Sequence, residues 1–153
     1  MPIANKNVLL GISGGIAAYK APDLVRKLTA LGANVRVVLT ASAAEFVSPL
    51  SLQAVSGNPV HQHLLDPAAE AAMGHIELAK WADILLIAPA TANTLAKLTV
   101  GLADDLLTTL YLATTAKIMI APAMNQQMWK APATRRNADT LTRDGHLLWG
   151  PGE

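Results

Sequence analysis

Short apolar runs alternate with segments of helical period along this chain, and this alternation constrains the fold more strongly than any other feature. The apolar runs are Val8 to Ile12, Val35 to Leu39, Ile84 to Ile87, Ile118 to Ile120 and His146 to Trp149. Strands that alternate with helices form βαβ units, and successive units build a parallel sheet. The pattern therefore predicts an α/β fold, a doubly wound parallel sheet in a three-layer sandwich.

Helical periodicity fills most of the intervals between these runs. The predicted helices are Gly15 to Leu31, Pro49 to Val55, Pro67 to Met73 with Asp66 as its cap, Asn93 to Leu98, Ala103 to Leu112 and Pro132 to Arg143. Pro22 lies beyond the first turn of the first helix, so we expect a kink or a later start there. Asp104 and Asp105 fit an N-cap and a first-turn acid of the helix that follows them.

Length and charge limit the partners of the chain. With 153 residues it fits one domain, and its net charge of +1 offers no electrostatic footprint for nucleic acid or anionic lipid. The first six residues lack the pattern of a signal peptide, and no apolar stretch reaches the roughly 18 residues of a membrane span. The absence of cysteine fits a reducing compartment. We expect a cytoplasmic domain that contacts neither nucleic acid nor membrane.

The charged fraction of the chain is low. Hydrophobic residues make up 52% of it and charged residues 15%, which is little charge for a domain that covers its whole surface. Either part of the surface is buried in a homo-oligomer, or small alanine side chains inflate the hydrophobic count. Composition alone leaves both open.

A glycine-rich turn, Gly11 to Gly15, leads from the first predicted strand into the first predicted helix. Open parallel sheets bind ligands outside the carboxyl ends of their strands, and the free N–H groups of a helix N-terminus favour a phosphate. Such a turn also needs glycine for conformational reasons, so this feature alone leaves phosphate binding open.

The residues after the second predicted strand narrow the choice of ligand. The chain lacks the G-x-G-x-x-G spacing, and this strand ends in Thr40-Ala41-Ser42 instead of the acid that would hold a nicotinamide ribose. It also lacks the Gly-Lys-Ser/Thr of P-loop nucleotide hydrolases. A mononucleotide with one terminal phosphate, such as FMN, fits what remains.

Two later strands both end in Ile-Ala-Pro-Ala, and each is followed by an asparagine, Asn93 and Asn125. A carboxamide donates and accepts hydrogen bonds, so it suits a flavin edge or a substrate carboxylate. The alternative is an N-cap of the next helix. The repetition of the pattern at one edge of the sheet favours a site.

Histidine supplies the candidate base. His75 opens the segment that runs to Trp81, and the dipole at a helix N-terminus favours a neutral imidazole that can accept a proton. We interpret His61, His63 and His146 as surface or capping residues. His61 and His63 would share a face, but two ligands are too few for a metal site, and none is predicted.

Four stretches, in this order, resemble the flavin-dependent cysteine decarboxylases, and most closely the bacterial phosphopantothenoylcysteine decarboxylase domain of coenzyme A synthesis. They are Gly11 to Lys20, His75 after Gly74, Pro89 to Thr94, and the run Pro-Ala-Met-Asn-Gln-Gln-Met-Trp from Pro122 to Trp129. The resemblance covers nearly all 153 residues. It implies a Rossmann-like flavoprotein fold with FMN as the cofactor.

The resemblance also implies a reaction and a set of roles. The terminal cysteine of phosphopantothenoylcysteine is oxidised to a thioaldehyde, carbon dioxide leaves, and the ene-thiolate is reduced to phosphopantetheine. His75 is then the catalytic base, and Asn125 with Met124 holds the substrate carboxylate. The FMN contacts would be Ser13, Gly14, Gly15, Thr40, Ser42, Thr91, Ala92, Asn93, Thr94 and Ala123. Members are trimers or assemblies of trimers with the site between subunits.

One departure concerns the final reduction. Members of the family carry, after the last strand, a clamp whose cysteine donates a proton in that step, and the bacterial enzyme continues into a synthetase domain. Residues 1–153 contain no cysteine. We therefore expect a flavoprotein domain truncated before the clamp, with the reduction impaired.

Other functions of the same fold stay open. A regulatory relative binds flavin without turnover, and other members act on the C-terminal cysteine of a peptide or transfer a prenyl group. His75 argues against the regulatory class, and the Met-Asn-x-x-Met-Trp run favours the small substrate.

Overall fold

The computed structural model describes residues 2–65, 67 and 73–151. The strands are β1 (Asn7–Ile12), β2 (Asn34–Leu39), β3 (Val60–His61), β4 (Ile84–Ala90), β5 (Lys117–Pro122) and β6 (Leu147–Leu148). The α-helices are α1 (Ala21–Ala30), α2 (Pro49–Ser56), α3 (His75–Trp81), α4 (Ala92–Val100), α5 (Leu106–Ala113), α6 (Gln126–Lys130) and α7 (Pro132–Arg143). Two short 3-10 segments, Ile16–Lys20 and Ala43–Glu45, follow β1 and β2.

The six strands in the described residues are all parallel and lie in the order β3-β2-β1-β4-β5-β6. The chain builds outward from β1 in one direction, then returns to place β4 on its other side. This reversal lies between β1 and β4, where Val8 pairs with Ile84 and Leu10 with Leu86. The predicted doubly wound parallel sheet is confirmed, and the reversal marks where such sheets bind ligands.

Alternate residues of the strands point into two hydrophobic cores, one on each face of the sheet. Leu9 points into a core that it shares with α3, α4, α5 and α7, whereas Leu10 points into a core shared with α1 and α2. Leu9 and Leu10 are both fully buried. The three-layer sandwich is therefore confirmed, because period-two alternation in a buried strand supplies apolar side chains to both faces.

Several boundaries differ from the predictions for local reasons. The first helix starts later, with a 3-10 segment before α1, and Pro22 then lies in its first turn, where its missing N–H costs nothing. The helix predicted from Ala103 begins at Leu106, because Asp105 caps it through a capping box with Thr108. Asp104 is therefore not its N-cap, and that prediction was wrong.

One short strand and one short α-helix were not predicted. Strand β3 has two residues and α6 has five, too few for a hydrophobic period to be visible. The predicted helix Pro67 to Met73 with its cap Asp66 lies, apart from its two ends, outside the described residues. No helix in the described part of the chain is both long and apolar enough to span a membrane.

Candidate functional site at the carboxyl edge of the sheet

The turns after β1, β2, β4 and β5 meet at one edge of the sheet, because parallel strands end on the same side. Two adjoining cavities open there and share Thr91. The first, about 710 Å³, lies beside the end of β2, and we call it the β2 cavity. The second, about 570 Å³, lies beside the end of β5 and is called the β5 cavity.

Most of the predicted site residues line these two cavities. Those in the β2 cavity are Thr40, Ser42, Thr91, Asn93 and Thr94. Those in the β5 cavity are Gly14, Gly15, Thr91, Ala92, Ala123, Met124 and Asn125. The predictions from separate turns of the sequence thus converge on one groove, and only Ser13 and His75 lie outside its lining among the described residues.

The turn after β1 touches the turn after β2. A Cβ atom on Gly14 would collide with the side chain of Ser42 and come within 2.9 Å of its carbonyl carbon. Gly15 has room, since its Cβ would meet Thr91 Cγ2 at 3.5 Å. Gly14 is therefore required by the close approach of two loops, while Gly15 leaves the wall of the β5 cavity open.

The turn after β1 is also bonded to the turn after β4. The Ser13 hydroxyl donates to the Pro89 carbonyl oxygen at 2.7 Å and accepts from the Thr91 N–H at 3.0 Å. On the other side, Ala123 N–H donates to Ala90 O at 3.0 Å. Contacts therefore run in series from the β2 turn to the β5 turn and hold the four turns of the groove together.

Thr91 is the N-cap of α4 and lines both cavities. Its hydroxyl oxygen accepts from Thr94 N–H at 3.2 Å, and its hydroxyl donates to Thr94 Oγ1 at 3.1 Å. The N–H groups of Ala92 and Asn93 belong to the first turn of the helix and have no partner within it. Asn93 is therefore not the N-cap of α4, and the start of this helix offers donors suited to an anion.

Asn125 caps α6 and presents its amide to the β5 cavity. Its Oδ1 accepts from Met128 N–H at 2.9 Å, so the carbonyl side of the carboxamide is oriented by the helix. The Nδ2 group keeps two hydrogens that an acceptor such as a carboxylate can use. The cap and the site interpretation of Asn125 are thus compatible.

One lysine and two aspartates, Lys97, Asp104 and Asp105, also line the β2 cavity and were not predicted there. Lys97 Nζ lies 3.0 Å from Asp104 Oδ1, which joins α4 to the loop before α5. Asn93 and Lys97 are four residues apart on one helix and therefore share a face. This spacing could have predicted that Lys97 lies in the cavity. Asp104 neutralises this lysine, while the Asp105 carboxylate accepts hydrogen bonds from the N–H and the hydroxyl of Thr108.

His75 lies at the start of α3, after the N-cap Gly74. The start of α3 faces the carboxyl edge of the sheet, because the helix of a βαβ unit runs antiparallel to the strands. However, α3 packs against α5, which packs against α4, and α4 packs against α7. The predicted base therefore shares the edge of the sheet with the groove, separated from Asn125 by other helices.

The other three histidines, His61, His63 and His146, lie at different places in the fold. His61 is buried in β3, so its interpretation as a surface residue was wrong. His146 Nε2 lies 2.7 Å from the Tyr111 hydroxyl at the opposite edge of the sheet. Burial lowers the pKa of His146 and raises the pKa of Tyr111, and the charge of Asp144 raises both. His63 lines the β2 cavity.

The fold and the groove together define a ligand-binding α/β protein, and comparison with known proteins identifies its family. The flavoprotein family model matches residues 2–153, and the chain belongs to that family. It is similar to the coenzyme A biosynthesis bifunctional protein CoaBC of Vibrio cholerae serotype O1, with 62% identity over 149 residues. The alignment covers 97% of this chain and 37% of that relative, so the chain spans about a third of its length.

Solved structures give the same result. The FMN-dependent cysteine decarboxylase SpaF is 38% identical with a TM-score of 0.89, over 99% of this chain and 87% of SpaF. A mutant PPC decarboxylase complexed with pantothenoylaminoethenethiol is 39% identical with a TM-score of 0.80, over 95% of this chain and 81% of that one. Both similarities extend over nearly the whole of this chain.

Proposed function

We propose that this chain binds FMN and catalyses the decarboxylation of phosphopantothenoylcysteine towards phosphopantetheine in coenzyme A biosynthesis. The observation that carries the proposal is the pair of adjoining cavities, one lined by hydroxyls and the other by the Asn125 amide. The names of the similar proteins support the same chemistry. We place the reaction in the cytoplasm, since the chain has no cysteine and its relatives serve coenzyme A synthesis.

The lining of the groove fits a flavin mononucleotide. The Thr40 and Ser42 hydroxyls lie 3.4 Å apart, and a bond between them uses one hydroxyl hydrogen and leaves the other for a phosphate oxygen. The start of α4 adds the N–H groups of Ala92 and Asn93. The absent side chain of Gly15 leaves space for the ligand beside Thr91. When bound, FMN accepts and returns the electron pair of the substrate's cysteine side chain.

The β5 cavity fits the carboxylate that is lost. The Asn125 Nδ2 group donates to it, while the bond from Met128 N–H to Oδ1 holds the carboxamide in orientation. Met124 and Ala123 give the remaining wall an apolar character, which favours conversion of a carboxylate into neutral carbon dioxide.

His75 acts as the base, and we propose that it does so at a boundary between copies of the chain in a homo-trimer or an assembly of trimers. Two observations support this. His75 is not among the described residues that line either cavity of a single chain. Ile16 and Met128 line the β5 cavity yet stay 78% and 45% exposed, as expected for apolar residues that another copy covers.

The final reduction depends on a proton donor that residues 1–153 do not supply as a cysteine. We therefore expect this polypeptide by itself to release carbon dioxide and to accumulate the ene-thiol product. Mass spectrometry under anaerobic conditions measures the outcome. Phosphopantetheine, two mass units heavier, as the main product would show that another group delivers the proton.

The proposed function is tested with the purified chain, an absorption spectrum and two substrates. We expect a bound flavin spectrum, and carbon dioxide release from phosphopantothenoylcysteine well above that from a peptide with a C-terminal cysteine. His75→Asn should keep the flavin and lower the release by about a hundredfold to ten-thousandfold, the usual effect of losing a positioned base. A protein that cannot be loaded with FMN contradicts the cofactor, and preference for the peptide contradicts the substrate.

A further inference from the structure

Ser13 has no hydrogen left to donate to a ligand. A serine contributes one hydroxyl hydrogen and one backbone N–H. The hydroxyl donates to Pro89 O at 2.7 Å, and the Ser13 N–H donates to the same oxygen at 3.2 Å. A flavin phosphate is only an acceptor at neutral pH, so a residue that holds it must donate. Ser13 has 1% of its surface exposed and is not among the described residues that line either cavity.

The hydrogen bonds of Ser13 act instead on the turn after β4. Its hydroxyl oxygen accepts from Thr91 N–H at 3.0 Å, and these bonds span the point where the strand order reverses. Thr91 is the residue shared by both cavities and the N-cap of α4. Its position therefore sets the direction of the free N–H groups in the first turn of that helix.

Ser42, in the neighbouring turn, provides the contrast. Its hydroxyl lies 3.4 Å from Thr40 Oγ1, the side chain is exposed, and it lines the β2 cavity. A serine in this environment can donate to a phosphate. The two serines close to the glycine turn thus differ in the one property that direct phosphate binding requires.

We infer that Ser13 is a positioning residue that holds the Thr91 turn in place for the flavin and does not bind the flavin phosphate. The inference rests on the proposed cofactor. It predicts that the loss of the Ser13 hydroxyl weakens the binding of every ligand that occupies the groove, whether or not the ligand carries a phosphate.

The experiment compares the affinities of FMN and riboflavin, which differ only in the phosphate, by flavin fluorescence titration. Ser13→Ala should weaken both by a similar factor of about ten, because two hydrogen bonds are lost, so the ratio of the two affinities stays at the wild-type value. Ser42→Ala, the matched control, should weaken FMN alone and lower that ratio. Ser13→Thr, which keeps the hydroxyl, should restore binding of both flavins.

A second measurement needs no flavin. Amide hydrogen exchange followed by NMR should show faster exchange at Thr91 N–H in Ser13→Ala than in the wild type. Ser13→Cys, which keeps the shape and weakens both bonds, replaces Ser13→Ala if that variant does not fold. A fall in the FMN-to-riboflavin ratio comparable to that of Ser42→Ala, or unchanged exchange at Thr91, overturns the inference. Wild-type protein that binds neither flavin refutes the proposed cofactor, and the exchange measurement still decides the role of Ser13.

Discussion

Gly14 lies where two loops of the groove approach most closely, and this makes it the more sensitive of the two adjacent glycines. Gly14→Ala would push the new methyl group into Ser42, so we expect flavin affinity to fall by roughly tenfold or more. Gly15→Ala meets only an ordinary contact with Thr91 and should bind nearly as the wild type does. Fluorescence titration with FMN measures both, and equal affinities would contradict the packing argument.

Two substitutions of Gly15 separate the effect of an added charge on flavin binding from the effect of an added side chain. Gly15→Asp places a carboxylate beside Thr91, the N-cap of α4, where it would repel the cofactor phosphate that we assign to the start of that helix. Together with Gly15→Ala it forms a matched pair, and only the charged variant should lose the flavin.

Asn125 combines a capping bond with an amide donor, and one substitution separates the two. Asn125→Asp keeps an acceptor for Met128 N–H, so α6 should stay capped, but the donor hydrogens are replaced by a charge that repels the substrate carboxylate. We expect kcat/KM for decarboxylation to fall by roughly tenfold to a hundredfold. Gln127→Glu, which adds the same charge elsewhere on α6, should change it little. A normal rate in Asn125→Asp would remove Asn125 from the substrate site.

At the level of elements, the bond between Tyr111 and His146 joins α5 to the start of β6 and makes the stability of this contact depend on pH. Burial lowers the pKa of His146 in the folded protein, while the unfolded chain takes up its proton near the ordinary value of 6.5. Acidification therefore favours the unfolded chain, and the free energy of unfolding should fall as the pH decreases through the interval around and below 6.5.

Urea unfolding at several pH values measures this dependence. His146→Gln should reduce the slope of unfolding free energy against pH over that interval, whereas His63→Gln, a control at the other edge of the sheet, should reduce it less. The same slope in His146→Gln and the wild type would show that burial of His146 has no thermodynamic effect.

For the whole molecule, we expect copies of the chain to assemble into a homo-trimer or an assembly of trimers. The chain has 15% charged residues, and large apolar side chains at the rim of the β5 cavity stay exposed. We expect light scattering to give three times the mass of one chain, or a multiple of that. Ile16→Lys should dissociate the assembly, because it places a charge on an apolar rim that is 78% exposed. Leu31→Lys, the same change at an exposed leucine outside the groove, should leave the mass unchanged. A monomeric wild type at micromolar concentration would refute the trimer.

Local chemistry explains what could be predicted from the sequence. The apolar runs of β1, β2, β4 and β5 are long enough to show their character, and the small polar residues at their ends mark the turns. Parallel strands bring those ends to one edge, so the lining of the groove followed from the topology. The two-residue β3 and the five-residue α6 carry no period and depend on contacts from β2 and α7.

Only the tertiary structure decided how individual polar groups are used. The sequence predicts Asp104 as the cap and Asp105 as a first-turn acid, yet Asp105 caps α5 and Asp104 pairs with Lys97 on another helix. Likewise, Ser13 in a glycine-rich turn reads as a phosphate donor. Its hydrogen goes instead to Pro89, 76 residues further along the chain. A hydroxyl has one hydrogen, and its acceptor is chosen by which groups the fold brings within about 3 Å, a distance that no local pattern of residues encodes.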